Sequence, residues 1–187
     1  MRENAAVNTF VALLRGINVG GKNKIPMTEL KSSFAALGYE DVVTYIQSGN
    51  VVFRSSSSAE RKTAAAIERR ITEEFGTEVT VVLRTPTELK SVAERNPFLK
   101  GKADPSKLHV VFLTSRPKAK AVAELDPGRS PPDEFRVHGR EIYLHLPKGS
   151  GRSKLTIDYF ERRLGVAATA RNWNTVLKLL ALAERSE

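Results

Sequence analysis

An unbroken apolar run from Phe10 to Leu14, stopped by Gly16, predicts a buried strand over Thr9–Arg15. Met27, Leu30, Phe34 and Leu37 then recur at helical spacing, so a helix is expected from Pro26 to Leu37, closed by Gly38. The β-branched and aromatic runs Val42–Gln47 and Asn50–Arg54, parted by Ser48-Gly49, read as a hairpin. Ile67, Ile71 and Phe75 form one stripe of a helix over Ala59–Phe75, and Val79–Leu83 is a further strand. The resulting order is β-α-β-β-α-β. After a short helix at Thr87–Arg95 and a turn at Asn96-Pro97, the order recurs: strand Leu108–Thr114, helix Pro117–Leu125, hairpin Phe135–His138 and Glu141–Leu146, helix Lys154–Leu164 and strand Val166–Ala170. A last helix runs from Trp173 to Ala183.

This double pattern predicts an α+β chain of two ferredoxin-like subdomains with antiparallel sheets and a C-terminal helix. The subdomains are placed at 8–84 and 107–187, with 85–106 as connector. Right-handed crossovers would make the first two strands of each unit parallel, with the third between them. The loop after the first strand and the turn between the second and third then share one edge, which sets Gly16–Lys24 beside Gln47–Asn50.

Composition narrows the chemistry. Without cysteine there is no disulfide, thiolate nucleophile or zinc ribbon, and His138 and His145 have no third ligand at metal-binding spacing. No apolar run approaches the ~18 residues of a membrane span and no secretory leader is apparent, so a cytoplasmic protein without membrane contact is expected. The formal charge is +9, and it rises along the chain: 14 basic and 11 acidic residues fall in 1–100, 16 and 10 in 101–187. The excess points to anionic partners, either small ligands or nucleic acid.

Gly16-Ile-Asn-Val-Gly-Gly-Lys-Asn23 copies a P-loop except at its last position, where Asn23 replaces the metal-binding hydroxyl. Pro26 at the expected helix start leaves Lys22 outside the helix, against nucleotide-hydrolase geometry. A ligand loop remains, in which Gly20 and Gly21 expose amides and Arg15, Asn18, Lys22, Gln47, Ser48 and Asn50 contact an anion such as a nucleotide or phosphorylated metabolite. The bland alternative is a set of tight turns, with Asn18 in a left-handed conformation and Arg15 paired to Asp41 or Glu78. Ser48 lacks a neighbouring histidine or a nucleophile elbow. Ser48–Phe53 echoes an RNA-recognition strand but carries only one of the two aromatics needed.

A second candidate patch comprises Lys148, Arg152 and Lys154, on a loop before a helix capped by Ser153, together with Arg171, Asn172 and Asn174 around Trp173. The three loop cations suit a nucleic-acid-binding module using the basic second half, against the blander readings of a flexible basic loop and, around Trp173, of helix capping with core packing. An enzyme acting on a phosphorylated or carboxylated substrate is a further alternative, although no general base stands out, and neither a cofactor nor an oligomeric state is indicated.

Three segments carry a family resemblance: Leu13–Lys22, Tyr45–Phe53 and Arg171–Val176. Together they closely resemble the bacterial family catalogued as domain of unknown function 1697. The resemblance implies a cytoplasmic α+β protein of two ferredoxin-like subdomains, and brings no activity, cofactor or catalytic residue with it.

Overall fold

In the computed structural model, which describes residues 7–186, the chain divides into two compact units. One takes the residues up to Lys90 and those from Leu179 onward, and the other is Ser91–Lys178.

The first unit is built from β1 (Asn8–Leu14), α1 (Met27–Ala36), β2 (Glu40–Tyr45), β3 (Asn50–Ser55), α2 (Glu60–Phe75) and β4 (Val81–Arg84). Its sheet has the order β2-β3-β1-β4 with every neighbour antiparallel, the ferredoxin-like arrangement expected from the pattern. Phe10, Ala12 and Leu14 of β1 join Val51 and Phe53 of β3 and Leu30, Phe34, Ile67 and Ile71 of the two helices in one core. Phe53 is ringed by Phe10, Phe34 and Tyr39, with centroids 4.6 to 5.9 Å away. The alternate residues Val11, Leu13, Val52 and Val82 are buried too, which is why these strands read as continuous apolar runs. Among the described residues, Phe10 and Phe53 on one face of the central strands and Val11, Leu13 and Val52 on the other are all buried, so neither face of these strands offers bases a stacking surface.

The second unit begins within α3 (Pro86–Glu94), and after two 3-10 turns it comprises β5 (Leu108–Leu113), α4 (Ala119–Ala123), β6 (Glu134–His138), β7 (Glu141–His145), α5 (Ile157–Leu164) and β8 (Ala168–Asn172). The strand order is β6-β7-β5-β8, again antiparallel throughout. α6 (Trp173–Glu184) follows β8 directly. Asn172 caps it by accepting from the Thr175 amide at 2.9 Å, and Trp173 is buried.

Two expectations are corrected here. α4 is only five residues long, because the extended backbone of Lys118 delays its start and Glu124 ends it, so Pro117 and Leu125 fall outside. α5 begins at Ile157, not Lys154. Thr156 is its cap, its hydroxyl accepting from the Tyr159 amide, whereas Ser153 accepts from the nearby Leu155 amide and holds buried Leu155 in the preceding loop.

The two units, which share little sequence, repeat each other contact by contact. The Leu14 amide donates to Gly49 O and the Arg15 amide to Thr80 O; Leu113 donates to Arg140 O and Thr114 to Ala167 O. Glu68 on α2 accepts from the first amide of β4, Val81, at 2.8 Å, and Glu161 on α5 accepts from the first amide of β8, Ala168, at 2.7 Å. Arg84 and Arg171 occupy the same register, opposite Val11 and Val110, and each donates Nη1 to the preceding carbonyl at 2.8 Å. Both arginines are buried, and desolvation lowers the Arg171 pKa to about 10.

Tyr143 of β7 is buried and donates its hydroxyl to Val92 O at 3.1 Å. Burial, with a smaller push from Glu141, raises its pKa to about 12 against a modest opposing effect of Arg95. The folded chain thus holds this proton above pH 10, where the unfolded chain loses it, so stability falls as pH climbs from 10 to 12. Tyr143→Phe is expected to cost about 1 kcal/mol at neutral pH. Urea melts at several pH values should show that deficit shrinking above pH 10.

Candidate functional site

Within each unit the connections differ in length, and the difference is polarised. At the end where β1 finishes, twelve residues (15–26) lead to α1, four (46–49) join β2 to β3, and five (76–80) join α2 to β4. The corresponding connections of the second unit have five (114–118), two (139–140) and three (165–167). The fold closes that end with ten residues in one unit and uses twenty-one in the other, so topology does not demand the surplus.

The surplus is ordered by specific bonds. Ile17 and Ile25 are buried in the core and anchor the long loop. Asn18, at φ 54°, donates Nδ2 to both Ile25 O and Gln47 O and accepts from the Ile25 amide at 2.8 Å, so one side chain ties the loop to itself and to the β2–β3 turn. Asn23 donates to Gly16 O at 3.0 Å and accepts on its carbonyl from the Asn18 amide. Gly20 and Gly21 have positive φ, and Lys22 N donates to Val19 O across them, a two-residue reversal with the signature of a type I′ turn. The glycines fold the loop back on itself. Lys22 lies exposed at the reversal, outside α1, and the sheet is antiparallel, so the P-loop resemblance is one of letters.

Of the residues expected to contact a ligand, Asn18 and Asn50 act on the protein. Asn50 is fully buried and donates to Tyr45 O and Ser48 Oγ, fixing the turn. The loop forms a wall between two clefts. On one side a pocket of about 280 Å³ is lined by Asn18, Gly21, Lys24, Ile25, Pro26, Met27 and Gln47. It lies between the 16–24 loop and the 47–50 turn, with an ammonium and an amide beside an apolar floor. On the other side an open, polar cleft of about 640 Å³ takes Arg15, Gly16 and Asn23 together with Arg69 and Thr72 of α2 and Glu78 and Thr80 before β4. Of the two acids expected beside Arg15, Asp41 instead pairs with Arg54 at 3.0 Å, and Glu78 lines the same cleft as Arg15. Sequence reasoning missed Lys24, whose only signal was its place in the long connection, and Met27, which read only as part of the apolar stripe of α1; Lys22 lines neither cleft.

The second candidate patch separates in space and role. Arg171 is buried in β8, bonded to Thr169 Oγ1 and Ala170 O, and Asn172, though exposed, has its side-chain oxygen committed to capping α6. Lys148, Arg152, Lys154 and Asn174 are exposed. Among the described residues no three histidine or carboxylate side chains gather as metal ligands, and no helix is long and apolar enough to cross a membrane.

Fold and loops together define an α+β protein of two ferredoxin-like subdomains and a C-terminal helix, elaborated unequally at its sheet ends. The chain belongs to the family described as "Protein of unknown function (DUF1697)", whose model matches residues 7–143. Among solved structures it is similar to the conserved bacterial protein SP0830 from Streptococcus pneumoniae, at 24% identity with a TM-score of 0.74, covering 95% of this chain and 99% of that one. That likeness is one of fold. A search of curated proteins gives no match.

Proposed function

We propose that the first unit binds a small anionic ligand, such as a nucleotide or phosphorylated metabolite, in the pocket between the 15–26 connection and the β2–β3 turn. One observation carries the reading: two connections that the second unit makes with minimal lengths, 15–26 and 46–49 here, are enlarged at this end, and between them they line a pocket containing Lys24 and Gln47. Lys24 supplies the charge for a phosphate or carboxylate, Gln47 a donor and acceptor, and Ile25, Pro26 and Met27 an apolar seat for the rest of the molecule. Asn18 and Asn50 hold the walls. The site offers binding groups and no base poised for catalysis, so the reading is of binding.

Thermal melts with nucleotides, sugar phosphates and small carboxylates test it. A true ligand at a hundred times its Kd stabilises by about 2.7 kcal/mol, a rise of roughly 5–10 °C for a chain of this size. Lys24→Ala and Gln47→Ala are expected to remove most of that rise while leaving the unliganded melt nearly unchanged. No shift with any of these anions, or a shift indifferent to both substitutions, overturns the reading.

A further inference from the structure

The second unit is elaborated at the opposite end of its sheet. Ten residues (124–133) join α4 to β6 and eleven (146–156) join β7 to α5, where the first unit uses three (37–39) and four (56–59). These loops are bonded into one surface. The Leu146 amide donates to Lys107 O, the Lys154 amide to Ser130 Oγ at 3.0 Å, and Arg129 Nε to Lys154 O at 3.0 Å. Ser130 is itself fixed to buried Asp133 at 2.7 Å. Three stretches remote in sequence, 99–107, 124–133 and 146–156, are thereby linked.

The charges on this surface are sorted. Lys100, Lys102, Lys148, Arg152 and Lys154 are exposed, and no carboxylate occurs in 146–156. Three of the four acids on these stretches accept bonds within their own loops, Asp104 from the Ser106 amide, Asp126 from the Gly128 amide and Asp133 from Ser130, and the fourth, Glu124, is exposed at the start of 124–133; seven Lys and Arg on the same stretches leave them net basic. Leu99 is the one large hydrophobic side chain exposed on the three stretches. A protein partner would call for an apolar centre, and a bilayer for side chains to insert. A phosphodiester backbone asks only for cations and donors on a held frame.

We propose that this end of the second unit binds nucleic acid through its phosphate backbone, independently of the small-ligand pocket, with Lys148, Arg152 and Lys154 as the principal contacts and Lys100, Lys102 and Arg129 beside them. Recognition is by charge and not by base, since Phe112 and Tyr143 on one face of the sheet, and Val111 and Ile142 on the other, are buried and offer no stacking platform.

Fluorescence anisotropy with labelled single- and double-stranded oligonucleotides, from 50 to 200 mM salt, tests this. Six contacts imply a log–log salt slope of about −5 on duplex, roughly a 10³-fold loss across that range. The triple substitution Lys148→Gln, Arg152→Gln, Lys154→Gln should reduce the slope by about 3 and weaken binding on the order of 100-fold at 100 mM salt. A circular dichroism melt reports that the variant is folded. Absence of binding at 50 mM salt, a slope unchanged in the folded variant, or tighter binding to phosphatidylserine vesicles than to either oligonucleotide overturns the proposal.

Discussion

Gly49→Ala should lower the melting temperature by roughly 6–12 °C, equivalent to about 3 kcal/mol, although it adds a single methyl group. Gly49 sits at φ 82°, where a side chain costs about 1 kcal/mol. A Cβ there would also stand 2.8 Å from Leu14 Cβ and 2.9 Å from Ile17 Cγ1, in a core too dense to yield cheaply. Its carbonyl accepts from the Leu14 amide, so the turn cannot retreat without breaking the ladder at the β1–β3 junction. Gly20→Ala and Gly21→Ala provide the comparison. They share the positive φ but meet open space, and should cost only about 1 kcal/mol each. Equal melting temperatures for the Gly49 and Gly20 variants would refute the steric part of the account.

Asn18→Ala is expected to be nearly as damaging, at about 3 kcal/mol, through a different route. It leaves the amide and carbonyl of buried Ile25 without their side-chain partners, cuts the bond to Gln47 O, and places alanine at φ 54°. Asn18→Gly relieves the backbone cost and restores none of the hydrogen bonds, so it should recover only about 1 kcal/mol. Hydrogen exchange at the Ile25 amide should quicken in both variants. Because Asn18 also forms a pocket wall, both should lose the ligand-induced melting shift along with stability, in contrast to Lys24→Ala, which loses the shift alone. An Asn18→Ala protein that melts within 1 or 2 °C of the parent, by roughly the conversion used above, would show that the loop is held elsewhere.

The strand order of both sheets was legible because hydrophobic runs, hairpin signals and the handedness of crossovers act locally and together. The edge shared by the 16–24 loop and the 47–50 turn followed from them and is present as a 2.8 Å bond between Asn18 and Gln47. What the letters could not reveal was the direction in which polar groups point. Asn18 and Asn50 read equally as ligands or as turn formers, and only tertiary placement turned both amides inward. The P-loop spelling was misleading because glycine licenses positive φ without fixing its use: the same pair can wrap a phosphate or reverse a chain. Arg171 looked like surface chemistry beside Trp173, but the alternation of β8 buries it. The likeness between the units was legible as a recurring order of elements but not contact by contact, because the matching contacts are largely backbone bonds and Glu68 and Glu161 lie at different separations from the strands they serve.

Those two glutamates bear on how the molecule meets copies of itself. Val81 and Ala168 open the outer strands β4 and β8, and an outer strand can recruit a foreign strand in register, the first step of fibre growth. Here the leading amide of each is already occupied by a carboxylate from the helix before it, so an incoming chain would find its first anchor taken and a negative charge in its place. On the other flanks, β2 breaks its register between Glu40 and Val43, and β6 presents Glu134, Arg136 and His138. A contact that fastens helix to sheet thus also guards each unit against open-ended assembly.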